Sequence, residues 1–230
     1  MGRLNKFYLY LRAIPNTLRF NLRYFPLAVA IRLPVLVSHR VWLMQMRGTV
    51  KITAPTLRPG MIKIGFGEVG VFDLQRSRGV WQVGPTGSVL FRGRANIGHG
   101  AKISVNGSLI IGEDFQITAE SQIACKKRII FGRDTLISWD CLFIDSDFHT
   151  IIDDETGMII NENRDIVIGD HVWFGSRCTV LKGTRLLGEY LVIAANTTLF
   201  GTFNGSHELI GGNPPKTLRT GISWRHDAVK

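Results

Sequence analysis

The feature that most constrains this chain is a six-residue period in its apolar residues. An aliphatic or aromatic anchor recurs at Ile97 and Ile103, at Ile111, Ile117 and Ile123, and at Phe131, Ile137 and Phe143. After a gap the period resumes at Ile168, Phe174 and Val180, then at Leu187, Ile193 and Leu199. The residue after an anchor is usually small, as at Gly98, Gly112, Thr118, Gly132, Gly169 and Ala194. Four residues after an anchor comes another inward candidate, such as Ala101, Ser121, Thr135, Cys141, Cys178, Thr184 or Thr197. A period of six sets successive anchors at non-matching angles on a 3.6-residue turn, so a helix is excluded. It fits short strands joined at tight corners, three to a coil, each coil stacked on the last at the ~4.8 Å spacing of sheet hydrogen bonds. The expected main domain is all-β, a parallel β-helix with hexapeptide repeats.

The period stops between Phe143 and Ile168, where the sequence reads DSDFHTIIDDETGMIINENRDIV. A regular scaffold that interrupts itself at a histidine suggests one reactive loop, inserted around residues 145–166. The unperturbed pKa of an imidazole suits proton removal near neutral pH, which makes His149 the candidate general base. Asp145 and Asp147 lie four and two residues earlier, on the same face if the strand is extended. Each then orients the imidazole, holds an acceptor, or is simply solvated.

Charge is unevenly placed. The net charge is +10, yet no Asp or Glu precedes Glu68, so residues 1–67 hold +11 and the rest sum to −1. Leu4, Phe7, Tyr8 and Leu11 fall on one face of an expected helix. Pro15 is expected to end that helix and Asn16 to cap a second one carrying Leu18, Leu22 and Phe25. Residues 1–47 read as a basic amphipathic helical arm, which packs on the main domain or a neighbouring subunit, lies on an anionic membrane surface, or does both. Residues 48–96 read as an irregular β segment capping or starting the β-helix, 97–205 as its core, and 206–230 as a C-terminal tail. The three cysteines make no paired framework, and Cys141 and Cys178 sit at inward positions as packing thiols. The most apolar stretch is broken by Arg32 and two prolines and falls short of the ~20 residues needed to span a bilayer. With no secretory signal in the first residues, a cytoplasmic location is expected.

The run IGDHVWFGSRCTVLKG from Ile168, followed by VIAANTTLF and GGNPPKTLR, resembles the hexapeptide-repeat acyltransferases over residues 97–220. That resemblance makes the β-helix left-handed. With SWDCLFIDSDFHTI and the basic arm, it is similar to the branch acting on bacterial capsular or exopolysaccharide sugars. It implies an acetyl-CoA-dependent O-acetyltransferase with a saccharide acceptor, acting as a homotrimer with sites in the clefts between adjacent β-helices. His149 matches the family's catalytic base. Ser176 matches a pantetheine contact, flanked by Trp173 and Gly175, and Ala195 matches a small residue beside which pantetheine lies. Lys216 and Arg219 match the basic pair that meets the CoA phosphates. Two departures stand out: Phe200 and Gly201 where a Thr-Lys pair is frequent, and GNPPK where GNPAK is usual.

The alternatives on this scaffold are an amino-sugar N-acetyltransferase, a serine O-acetyltransferase, and a structural β-helix that only binds. A zinc enzyme of the γ-carbonic-anhydrase kind needs three closely spaced histidines, and His99, His149 and His171 do not match that pattern, so no metal is expected. The arm carries no recognised nucleic-acid motif, and no nucleic-acid partner is expected.

Overall fold

The computed structural model describes residues 3–226 and is a left-handed parallel β-helix behind an N-terminal helix. Its strands form three sheets in strict rotation, so each coil contributes one strand to each. The nine-stranded sheet starts at Val35–Val37 and ends at Lys216–Thr220. The second sheet runs from Val41–Met46 to Thr198–Leu199, and the third from Thr49–Ile52 to Thr202–Phe203. We call the turn from the nine-stranded sheet to the second sheet the first corner, the next turn the second corner, and the return turn the third corner.

Register explains the period. Ile97 pairs with Ile117 and Ile117 with Ile137, so anchors stack on anchors. The anchors are buried, with one exception: Leu187 is 49% exposed and Leu186 takes its inward place, in register with Ile168. An extra residue at the third corner, between Leu186 and Ile193, shifts the alternation there. The inward candidates four residues after the anchors are buried as expected, Cys141 and Cys178 among them. Phe115, Phe131, Phe143 and Phe174 run through the interior with neighbouring ring centroids 5.0–5.1 Å apart.

Corners explain the small residues. A Cβ on Gly112 would lie 2.1 Å from the carbonyl oxygen of Gly132, and one on Gly188 1.7 Å from that of Gly205, so side chains are excluded there. Two residues later the chain turns through positive φ at Asp114, Asp134, His171, Tyr190 and His207. The first corner does the same at Glu120, Asp140, Arg177 and Asn196.

The coil begins earlier than the period reveals. Val35–Val37 pairs in register with Ile62–Phe66, and Val50, Val89 and Leu109 stack in the third sheet. Val35–Val37 and Val41–Met46 are therefore strands rather than helical arm, and the segment 48–96 belongs to the first coils. Excursions at 53–61 and 67–78, together with bulges near Leu43 and Ile64, hide the period there.

The helical part also differs from expectation. α1 runs unbroken over Arg3–Tyr24 with Pro15 inside it, and a short α2 follows at Leu27–Ala30. Proline removes one helix hydrogen bond, but α1 continues through it, supported by tertiary contacts. Asn21 Nδ2 donates to the Val35 carbonyl at 2.7 Å, while Asn21 Oδ1 accepts from Val35 N–H and Thr17 Oγ1 from Val37 N–H. Asn16 does not cap a helix; its Nδ2 donates to the carbonyls of Ser38 and Val41. α1 thus supplies hydrogen-bonding partners to the edge strand, and Phe20 closes the end of the barrel against Trp81 at 5.2 Å. The side chain of Leu4 lies outside the described residues. Phe7, Tyr8 and Leu11 are exposed. At the far end Lys216–Thr220 pairs antiparallel with Glu208–Gly211 and blunts the opposite edge.

The excursion at 67–78 is pinned over the first corner. Ser77 Oγ donates to Glu120 and receives Nδ1 of His99 at 2.6 Å, and His99 is 1% exposed. Burial lowers the pKa of His99 below the usual imidazole value, with Glu120 opposing in part.

Two outcomes follow. Phe143→Ala should cost about 3–5 kcal/mol in urea unfolding, since the facing rings cannot collapse into the void. Because the unfolded chain takes up a proton at His99 as pH falls through about 6.5 and the folded chain resists it, stability should decline from about pH 7 to about pH 5. His99→Gln should flatten that slope in urea midpoints measured across the range.

Candidate active site

The break in the period leaves and rejoins the coil at the second corner, between Leu142–Ile144 and Ile166–Ile168. Opening a stacked coil strands the backbone N–H groups of the coil below. Asp145 meets them: its carboxylate accepts from the N–H groups of Lys126, Lys127 and Arg128 at 2.7–2.8 Å. It is fully buried and turned away from His149. The expectation that Asp145 shares a face with His149 fails because Phe148 turns through φ 61°, so this stretch is not extended.

Asp147 is exposed and faces a lysine. Lys182 Nζ donates to its carboxylate at 2.5 Å and Asn161 Nδ2 at 2.8 Å. These partners, Lys182 first, hold the Asp147 carboxyl below the usual carboxylate range. Asn161 also donates to the His149 carbonyl and accepts from Ile151 N–H, while Lys182 donates to the Asn161 carbonyl at 2.9 Å. The two limbs of the loop are thereby clasped to each other and to the next coil. The backbone carrying His149 is fixed, and its imidazole is exposed. Phe148, Ile151, Ile152, Met158, Ile159 and Ile160 project beside it, each more than half exposed.

Neither Lys182 nor Asn161 was picked out from the sequence. Lys182 had a signal: Leu181 is in register with Ile144, which sets the next residue directly above Asp145 at the mouth of the loop. Asn161 had none, being one polar residue in a polar insertion.

The residues expected at the cofactor lie at the other edge of the second sheet. Trp173 ends its indole N–H on Ser138 Oγ at 3.2 Å. Gly175 and Ser176 form the first corner of that coil, and Ala194 and Ala195 form the corner above. A Cβ on Gly175 would lie 2.7 Å from Ala195 N, so the two corners are tightly stacked and carry nothing larger than a hydroxymethyl between Phe174 and Arg177 or between Ile193 and Asn196. Such a smooth, small-residue edge fits an extended amide-bearing chain laid along it. Lys216 and Arg219 are exposed on the final strand. In one chain, His149 and Ser176 thus flank opposite edges of the strand Thr179–Leu181. His99, His149 and His171 each occupy a different corner.

Burial, then the carboxylate of Asp145, pushes the Cys125 thiol far above its usual range. A surface groove of about 740 Å³ follows the third corner and contains none of the expected site residues. In it Asp134 accepts from His171 at 2.5 Å and His226 at 2.8 Å. Burial alone would raise the Asp134 pKa; the two imidazoles hold it down.

No family model matches the chain. It is 39% identical over 64 residues, 28% of its length, to a polysialic acid O-acetyltransferase of Neisseria meningitidis. It is 28% identical over 125 residues, 54% of its length, to a polysialic acid O-acetyltransferase of Escherichia coli O1:K1 / APEC. This chain resembles the hexapeptide-repeat acyltransferases. The matched segments span 30% and 38% of those relatives' own lengths. Among solved structures, the polySia specific acetyltransferase NeuO superposes with a TM-score of 0.58 at 22% identity, covering 81% of this chain and 85% of that one, which establishes the shared fold.

Lys182→Met should loosen the loop while sparing the coil. Amide exchange over residues 146–162 should quicken several-fold and limited proteolysis should cut there first, with little change in melting temperature.

Proposed function

We propose that this chain is an acetyl-CoA-dependent O-acetyltransferase that modifies a hydroxyl of a sugar in bacterial surface polysaccharide. The reading is carried by one juxtaposition. The coil that opens to present His149 is followed at once by a coil whose first corner, at Gly175 and Ser176, is stripped to small side chains. Similarity to polysialic acid O-acetyltransferases supports the acceptor class.

The chemistry needs few parts. An acetyl thioester is already activated, so a base and an oriented hydroxyl are sufficient to start the transfer. His149 takes the hydroxyl proton as the oxygen attacks the thioester carbonyl. The tetrahedral intermediate then collapses, the carbon–sulfur bond breaks, and the imidazolium returns its proton to the departing CoA thiolate. Ser176, with Gly175, Ala195 and Trp173, lines the pantetheine path, and Lys216 and Arg219 meet the phosphates. Asp147 positions the loop through Lys182 and Asn161, and Asp145 holds its root.

The site is composed between copies. The strand Thr179–Leu181, ~10 Å long at about 3.3 Å per residue, separates the His149 loop from Ser176 within one chain. The loop's exposed apolar residues are suited to pack against a neighbouring β-helix, bringing one copy's imidazole to the next copy's first corner. A homotrimer satisfies this at three equivalent clefts. Use of acetyl-CoA supports a cytoplasmic location for the reaction.

A thiol-release assay with acetyl-CoA and a panel of saccharide, amino-sugar and serine acceptors tests the reading. His149→Ala should lose about 10²–10⁴ in turnover and keep its affinity for CoA. Ala195→Trp should lose CoA binding. Mixed trimers of the two variants should recover activity, because one cleft in the mixture is intact. Near-normal turnover by His149→Ala would sink the base assignment, and transfer to serine alone would sink the sugar acceptor.

A further inference from the structure

The N-terminal cap carries two features that acetyl transfer does not use. The first is a second face on α1. Its buried face, with Ala13, Thr17, Phe20 and Asn21, is consumed by the edge strand. On the far side Phe7, Leu11, Ile14, Leu18 and Leu22 form a continuous stripe at helical spacing, 43–70% exposed. Leu27 and Ile31, at 68% and 69% exposure, extend the apolar surface beyond the end of α1. Arg12, Arg19 and Arg23 border the stripe, and no acidic residue occurs anywhere before Glu68.

The second feature is a pair of grooves that meet at Arg23. One, of about 610 Å³, is lined by Arg19, Arg23 and Arg47 with Met44, Met46 and Gln82, and no carboxylate lines it. Arg23 Nη2 donates to the Arg47 carbonyl at 3.0 Å, which holds two of these residues together. The other, of about 450 Å³, is apolar, with Tyr24, Phe25, Pro26, Val29 and Leu57 in its walls. Guanidinium donors beside an apolar trough match a molecule with a phosphate at one end and a hydrocarbon chain at the other.

We propose that the N-terminal cap docks on an anionic phospholipid surface, with the α1 stripe at the boundary of headgroups and acyl chains and a lipid phosphate held by Arg19, Arg23 and Arg47. Charge decides between occupants. A second copy would bring the same uniformly basic border against the first, and like charges repel across such an interface. An anionic leaflet complements both the border and the stripe. Among the described residues no helix is long and apolar enough to cross a membrane, so the contact is peripheral.

The test uses the full-length protein in flotation with vesicles of phosphatidylcholine alone or mixed with phosphatidylglycerol. Wild type should bind the mixed vesicles roughly tenfold better, and added salt should erase the difference. Leu11→Ser with Leu18→Ser, and separately Arg19→Gln with Arg47→Gln, should each remove most of the binding. These side chains are exposed or line a groove, and unchanged circular dichroism and melting temperature will confirm the fold. Equal binding to both vesicle types, or full binding by either double variant, overturns the proposal. A smaller oligomer for the leucine variant in light scattering, with vesicle binding intact, would hand the stripe to a second copy. Tight calorimetric binding of inorganic phosphate at the arginines without vesicle binding would hand the groove to a free anion. The outcome is independent of acetyl transfer, so either reading can fail alone.

Discussion

Everything in this molecule depends on the approach of one coil's corner to the next. The carbonyl of Gly132 fills the space where a side chain on Gly112 would be, and that of Gly205 fills the space at Gly188. Backbone so close to backbone fixes the rise per coil, and the fixed rise aligns the phenylalanines of the interior. It also dictates where anything irregular can go. A segment that leaves the coil in mid-strand would break ladders on both sides, whereas one that leaves at a corner disturbs only the few amides of the coil beneath. The catalytic loop we propose leaves at a corner, and a single buried carboxylate, that of Asp145, satisfies the three amides it exposes.

This makes Asp145 and Asp147 unlike in kind, although two residues apart in one acidic phrase. Sequence treats them as a pair near a histidine. The fold uses the first as backbone repair and the second as a clasp to Lys182. What separates them is the left-handed turn at Phe148, and a non-glycine residue at positive φ leaves no signature in composition. The clasp explains how an exposed loop holds its backbone without packing. Asn161 bridges both limbs, and Lys182 ties them to a rigid coil.

Legibility followed the repeat. Where the period was strict, from Ile97 to Phe143, inward residues could be named singly, down to Cys141 and Thr135. Where the third corner gains one residue, between Leu186 and Ile193, the anchor is Leu186 and not Leu187, because a period counted back from Ile193 carries its phase past an insertion. The first coils were unreadable for the opposite reason: excursions at 53–61 and 67–78 separate strands that are neighbours in space. Pro15 misled by a different route. Its cost to an isolated helix is real, but α1 is not isolated. Asn16, Thr17 and Asn21, which look like cap and breaker residues, serve an edge strand as its missing partner. Polar residues in mid-helix are weak helix formers, and their presence here signals a face that meets backbone.

The placement of the two halves of the proposed site follows from the same geometry. A triangular coil has a corner at each edge of a sheet, so a loop at one corner and a smooth slot at the next cannot face each other across a flat strand. A β-helix has no concavity of its own in which to enclose a reaction, since its interior is packed with Phe131, Phe143 and Phe174. Concavity arises where two convex columns meet. On this view the exposed apolar residues of the loop, from Phe148 to Ile160, are the counterpart of the bare corner at Ser176. One supplies a surface that needs covering, the other a surface with nothing projecting to obstruct it, and in the proposed homotrimer a second column would bring them together into a site that excludes water.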